Sequence, residues 1–339
     1  MLRHILIAST AAAALLAASP EAFAKMPKVL NFGIISTESS QALKAGFEPF
    51  FKDMEKTLGV QVKPFFAPDY AGIVEGMRFD KVDIAWFGNK SAMEAVDRAG
   101  GEIFAQTVDA TGNPGYWSLL LAHKDSPING LADVLKCDKS LSFGNGDPNS
   151  TSGFLVPSFY VFAQNKVDPK ECFKVVRNAS HEVNAMAVAN KQVDVATNNT
   201  ESIDRLKLAH PKEAEQLKEV WRSPLIPADP IVWRKNLDQD AKDRIYAFFL
   251  RYGRSGDIKR ITHERDVLAG MSSGWAPFIA SSDLQLIPIR QMQTFRDKMK
   301  LEANSQMDAK EKAEKIANLD AQLRALDELA KASDFRTPH

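Results

Sequence analysis

The sequence predicts an α/β protein of two lobes, with mostly parallel sheets flanked by helices and a C-terminal helical extension. Three observations carry this. Short apolar runs of strand length alternate with longer stretches of helical spacing along most of the chain. One short pattern occurs twice. Lys81-Val82-Asp83-Ile84-Ala85 leads through Trp86-Phe87-Gly88-Asn89 into a helix, and Gln192-Val193-Asp194-Val195-Ala196 leads through Thr197-Asn198-Asn199-Thr200 into another. This echo fits two related lobes whose strand ends face one cleft, where open α/β sheets bind their ligands. The last stretch, from about Asp308 to Ala332, has no Gly or Pro and is rich in Ala, Lys, Glu and Leu.

Taken in order, Val29 to Ile35 is a strand-length apolar run. Gln41 to Leu58 places Leu43, Phe47, Phe50, Phe51, Met54 and Leu58 at helical intervals, one apolar stripe. Val60 to Ala67 is a strand. Asp69 stands where an N-cap belongs, ahead of a helix through Met77, because a short carboxylate accepts from the free N–H groups of a first turn. Val82 to Trp86 is a strand, Ser91 to Ala99 a helix, Ile103 to Val108 a strand, and Trp117 to Ala122 a further apolar run. The second set begins with a strand at Leu141 to Phe143. The loop Gly144 to Gly153 opens a helix running to about Gln164. Phe173 to Val176 and Val193 to Thr197 are strands, each followed by a helix, Glu182 to Asn190 and Glu201 to Leu208. Val232 to Arg234 leads back into the first lobe. In the last stretch Ile316, Leu319, Leu323, Leu326 and Ala330 follow 3-4-3-4 spacing, a heptad seam. Such a seam packs on its own lobe or pairs with a second copy to make a homodimer.

The first 24 residues stand apart. Arg3 gives a positive start, Ile5 to Ala18 carries no charge, and Ala22-Phe23-Ala24 reads as a cleavage site. The apolar run is shorter than the roughly 20 residues a membrane span needs. A secretory signal peptide cleaved after Ala24 is expected, and with it export. The expected organisation is a signal peptide over 1–24, a first lobe from 25–118 and 232–304, a second lobe over 119–231, and a C-terminal helix over 305–339. In an oxidising compartment Cys137 and Cys172 either pair or stand as separate buried thiols.

Lys+Arg and Asp+Glu each number 43, which leaves no basic excess to neutralise phosphates and argues against a nucleic-acid partner. Two cysteines exclude a four-cysteine zinc site, and the six histidines show no zinc spacing. No metal or other cofactor is implied.

The strongest chemical signal is Asn149-Ser150-Thr151-Ser152-Gly153 ahead of an apolar helix. Three hydroxyls stand where unpaired N–H groups and the positive end of a helix dipole point outward, an oxyanion site in the making. Plain N-capping would use one of them. No Lys follows in P-loop spacing, and no G-x-S-x-G nucleophile elbow is present. His181 opens a helix after a strand. Tyr70 and Tyr116 sit at element boundaries, where a ring can line a cleft or pack peripherally. Glu201, at a helix start, and Asp229, between two prolines, are carboxylates that an anion site would not welcome unless the ligand also carries a cation.

At these residues the chain resembles the periplasmic phosphonate-binding proteins of phosphonate ABC transporters. The likeness runs from Leu30 to about Arg290. It is most specific at Leu30-Asn31-Phe32-Gly33-Ile34-Ile35-Ser36-Thr37-Glu38, at Phe66-Ala67-Pro68-Asp69-Tyr70-Ala71-Gly72 and at Gly144 to Gly153. Ala196 to Glu201 and Asp229 to Arg234 add to it. The resemblance implies a two-lobed type II periplasmic binding protein with a hinge, not an enzyme, that delivers its ligand to a membrane permease. It implies that Ser150, Thr151, Ser152 and His181 hold phosphonate oxygens, that Tyr70 and Tyr116 line the cleft and add hydroxyl donors, and that Glu201 and Asp229 bind the ammonium of a ligand such as 2-aminoethylphosphonate. The competing readings are a same-fold binder of phosphate or phosphite, a secreted hydrolase of phosphorus esters, and a sensor subunit.

Overall fold

The computed structural model describes residues 26–271 and 274–333. The expected signal peptide and its cleavage site lie outside the described residues.

Two large sheets organise the chain. The first has six strands, in spatial order Trp275–Ala280, Gly101–Asp109, Pro230–Arg234, Ile84–Trp86, Val29–Ile34 and Gln61–Phe65. The second has five, in the order Leu217–Arg222, Ser118–His123, Val195–Asn199, Ser142–Asn145 and Val175–Asn178. Val29–Ile34 and Ser142–Asn145 each run parallel to both neighbours. The other pairings within these sheets are antiparallel, so each sheet is mixed rather than mostly parallel. Connectivity gives a reason. A strand fed by a helix from its own sheet re-enters in the same sense, but Ser118–His123 and Pro230–Arg234 arrive from the opposite sheet and run the other way. The return strand also starts two residues before the expected Val232.

Local sequence explains the flanking helices. Helix Ser40–Leu58 is capped by the Ser39 side chain, which accepts from the Ala42 N–H, and ends at Gly59 in a left-handed conformation (φ 69°). All six residues of its expected stripe are buried. They pack with Phe32, Trp86 and Trp275 in an aromatic core under the first sheet. The second sheet has its own smaller core around Leu120, Phe143, Phe162 and Val195. Beside that core a disulfide joins Cys137 to Cys172, which resolves the open question about the two thiols.

The chain passes between the sheets at two places, and there the passing strands pair. Gly115–Tyr116 runs antiparallel to Ile226–Pro227. They approach so closely that a Cβ on Gly115 would stand 1.9 Å from the Ile226 carbonyl oxygen, which requires glycine there.

Helix Ile287–Ala303 enters the first core at Ile289 and reaches the second lobe, where Phe295 meets Phe159 edge to face. Helix Ala309–Ala332 folds back along it. Ile316, Leu319, Leu323, Leu326 and Ala330 are all half-buried, and Gln291 donates to Asp327 across the pair. The seam is therefore engaged within the chain. Among the described residues no helix is long and apolar enough to cross a membrane.

Candidate functional site

Five helices begin at one cavity. Their first residues or caps line it: Tyr70 of Tyr70–Arg78, Gly88 ahead of Asn89–Arg98, Ser150 ahead of a wide-turned helix from Thr151, His181 of His181–Ala189, and Asn199 ahead of Thr200–Ala209. Helix starts carry unpaired N–H groups and the positive end of the dipole, so their convergence favours an anion. The empty volume is about 270 Å³. All eight residues named from the sequence line this one cavity: Tyr70, Tyr116, Ser150, Thr151, Ser152, His181, Glu201 and Asp229.

At one end stand the three hydroxyls. Ser150 Oγ accepts from the Gly153 N–H at 2.9 Å. Thr151 Oγ1 accepts from the Lys90 N–H of the opposite lobe at 2.8 Å. Ser152 Oγ accepts from the Asn199 amide at 3.0 Å. Each hydroxyl thus has a lone pair occupied by a fixed donor. Thr151 keeps its own proton to give, while Ser150 and Ser152 also stand 3.5 and 3.4 Å from His181 Nε2.

Asn199, which sequence reasoning did not assign, sets the state of His181. Its Oδ1 accepts the Ser202 N–H at 2.7 Å, which fixes the amide so that Nδ2 faces Ser152 and the His181 Nε2, 3.2 Å away. Nε2 then accepts, and the network assigns the imidazole proton to Nδ1. Burial, with the Arg205 charge adding, brings His181 down to about 3, so the ring is neutral at physiological pH. His181 Nδ1 and Thr37 Oγ1 are buried without a partner, and both residues line the cavity. Buried polar atoms are ordinarily hydrogen-bonded. Two orphans lining one cavity point to a polar ligand.

The other end is acidic. Asp229 is buried, and Glu201 is half-buried. Burial and then the Glu201 charge hold Asp229 well above the usual carboxylate range. Burial pushes Glu201 up to about 7, against the Arg205 charge. Two carboxyl groups thus share this end of the cavity with the Arg205 charge. Tyr116, expected on the phosphonate, instead donates its proton to Asp229 Oδ1 at 3.0 Å, so its donor belongs to the acidic end. Tyr70 lies beside Ser150, and burial raises it far above the usual phenol range, so it keeps its proton.

The two ends are close. A Cβ on Gly88 would stand 3.2 Å from Thr151 Oγ1 and 3.9 Å from Asp229 Oδ1, so any side chain there would fill the space between them. Arg205, also missed from sequence, lines the cavity one helical turn beyond Glu201 and pairs with Glu38 of the other lobe. Its sequence signal was the four-residue spacing from Glu201. For Asn199 the signal was its place at the end of the repeated strand-and-loop pattern.

The site has relatives. A family model described as the periplasmic substrate-binding protein of a phosphonate ABC transporter matches residues 32–286. The phosphonates-binding periplasmic protein of Escherichia coli is 58% identical over 314 residues, 93% of this chain and 90% of that one. A crystal structure of a binding protein component of an ABC phosphonate transporter from Pseudomonas aeruginosa superposes with a TM-score of 0.86 at 58% identity, covering 90% of this chain and 99% of that one. A phosphate-import protein of Mycolicibacterium smegmatis is 31% identical over 70% of this chain and 79% of its own.

Proposed function

Because the chain belongs to the periplasmic substrate-binding proteins of phosphonate ABC transporters, we propose that its own ligand is an aminoalkylphosphonate, with 2-aminoethylphosphonate the first candidate. Members of this family are ligand carriers for a membrane permease, not enzymes. In this reading Ser150, Thr151, Ser152, His181 and Tyr70 take the phosphonate oxygens, while Glu201 and Asp229 take the ammonium. Tyr116 supports the ammonium end through Asp229.

One observation carries the choice: the buried Asp229 and the half-buried Glu201 share a small cavity with a cluster of neutral oxyanion donors. A bare phosphate or alkylphosphonate brings no cation to the acidic end, whereas a zwitterion meets both ends. The phosphate reading is favoured by the relative named for phosphate import. The acidic pair weighs against it.

The two lobes, 25–118 with 232–304 and 119–231, are taken to close on the ligand about the paired crossings Gly115–Tyr116 and Ile226–Pro227. Removal of the signal peptide after Ala24 would give an exported chain whose mass starts at Lys25; a chain retaining its first 24 residues would refute it.

The test is a calorimetric titration of the wild type, Glu201→Gln and Asp229→Asn with 2-aminoethylphosphonate and with ethylphosphonate. Truncating one partner of a desolvated charge pair costs about 2–5 kcal/mol. Each variant should therefore lose affinity for the amine-bearing ligand, while ethylphosphonate holds or gains. Equal losses for both ligands would sink the amine reading. Wild-type preference for phosphate would replace it with the phosphate reading.

A further inference from the structure

A second opening lies beside the ligand cavity. It is an open groove with an empty volume of about 540 Å³. Its apolar walls are Ala42, Leu43, Gly46 and Phe47 of the helix Ser40–Leu58, and Leu208 of the helix Thr200–Ala209. Trp86 and Arg205 line both the groove and the ligand cavity, and Glu38 on the groove side pairs with Arg205.

The groove adjoins the acidic end of the cavity rather than the hydroxyl end. Arg205 sits one helical turn from Glu201, and Trp86 lies beside Asp229. Ser150, Thr151 and Ser152 line the cavity and not the groove. A ligand held with its phosphonate on the hydroxyls therefore presents its nitrogen toward the groove. What stands between is an ion pair of two long side chains. Arg205 and Glu38 are 11% and 15% exposed, so the pair borders solvent along the groove.

We propose that this groove is a subsite for an apolar substituent on the nitrogen of an aminoalkylphosphonate, and that the Arg205–Glu38 pair is its gate. The proposal rests on the amine-binding reading above. It extends the ligand class from primary amines to N-alkyl aminoalkylphosphonates. A secondary ammonium keeps its charge for Glu201 and Asp229, and its alkyl chain gains apolar contact with Leu43, Phe47 and Leu208.

Gly46 supplies a probe. A Cβ built there meets nothing within 4 Å, so a side chain can leave the backbone at Gly46 and Gly46→Leu adds apolar bulk to the groove wall, at a helix position where leucine is favoured over glycine. Wild type, Gly46→Leu and Glu38→Ala are titrated with 2-aminoethylphosphonate and with its N-butyl derivative. In the wild type the N-butyl compound should bind within about tenfold of the parent, since burial of the chain offsets opening of the gate. Gly46→Leu should weaken the N-butyl compound by about tenfold or more while leaving the parent unchanged. Glu38→Ala should shift the ratio toward the N-butyl compound. The subsite is overturned if the parent binds while wild type and Glu38→Ala both reject the N-butyl compound. It is equally overturned if Gly46→Leu changes both ligands alike or neither. If the wild type fails to bind 2-aminoethylphosphonate itself, the amine reading falls and the extension falls with it.

Discussion

The Tyr116 hydroxyl donates to Asp229 Oδ1 across 3.0 Å, and the two residues belong to the two different chain segments that pass between the sheets. Tyr116 belongs to the first passage, and Asp229 closely follows the Ile226–Pro227 pairing of the second. The acidic end thus includes residues from both crossings about which the lobes are proposed to close. In that proposal a charge bound there acts on the segments that turn as the lobes close.

Tyr116→Phe tests that link. It deletes one hydrogen bond to a carboxylate and keeps the ring. Hydrogen bonds to charged groups contribute about 1.5–3 kcal/mol. Affinity for 2-aminoethylphosphonate should therefore fall by about 10- to 100-fold, read by calorimetry, with ethylphosphonate less affected. An unchanged amine affinity would show that Asp229 does not need the phenol.

Thr151→Ala probes the hydroxyl end. The Thr151 hydroxyl accepts the Lys90 N–H from across the cleft and has its proton free for a ligand oxygen. The variant loses both bonds, so amine-bearing and amine-free phosphonates should weaken by a similar factor of about 10- to 100-fold. A loss confined to one ligand class would place Thr151 elsewhere in the binding scheme.

Glu201 makes ligand uptake depend on pH. Its carboxyl sits near 7 in the empty cavity against an ordinary value of 4.5, so the empty protein favours the protonated form. That contribution to stability is full below 4.5 and is lost as pH rises through about 7. An ammonium ligand demands the ionised form. At pH 6 its binding should release about one more proton in the wild type than in Glu201→Gln. Calorimetry in buffers of different ionisation enthalpy counts the protons, and the variant cancels any change in the ligand's own protonation. His181 acts in the other direction, since its value is lowered from 6.5 to about 3, and its contribution is lost as pH falls through that range. Equal proton release from the two proteins would place the titration on another group.

Removing the Cys137–Cys172 bridge should cost stability without touching ligand binding. The bridge closes a loop of 35 residues beside the second core. The chain-entropy model gives about 3–4 kcal/mol for a loop of that size. Urea unfolding of a double Cys→Ser variant measures it, and calorimetry with the same variant should return the wild-type affinity. Weakened binding would mean that the bridge holds the helix starts around the cavity.

The amino-acid sequence by itself determined what depends on neighbours along the chain. The six-residue stripe from Leu43 to Leu58 is buried as its spacing requires. Asp69 caps its helix, and the Ser150-Thr151-Ser152 turn opens another, because capping is a matter of a few adjacent residues. The eight site residues were legible through local chemistry together with family likeness, and the chain folds all of them onto one cavity. Tertiary structure decided everything that joins distant segments. Strand sense in the two sheets follows from where each strand comes from, which no local pattern records. Asn199 fixes the His181 tautomer, Tyr116 spends its proton on Asp229, Arg205 pairs with Glu38, and the C-terminal seam finds its partner in its own chain. Hydrogen-bond direction and ion pairing depend on distances of a few ångströms between residues that are 18, 113 and 167 positions apart, and packing alone sets those distances.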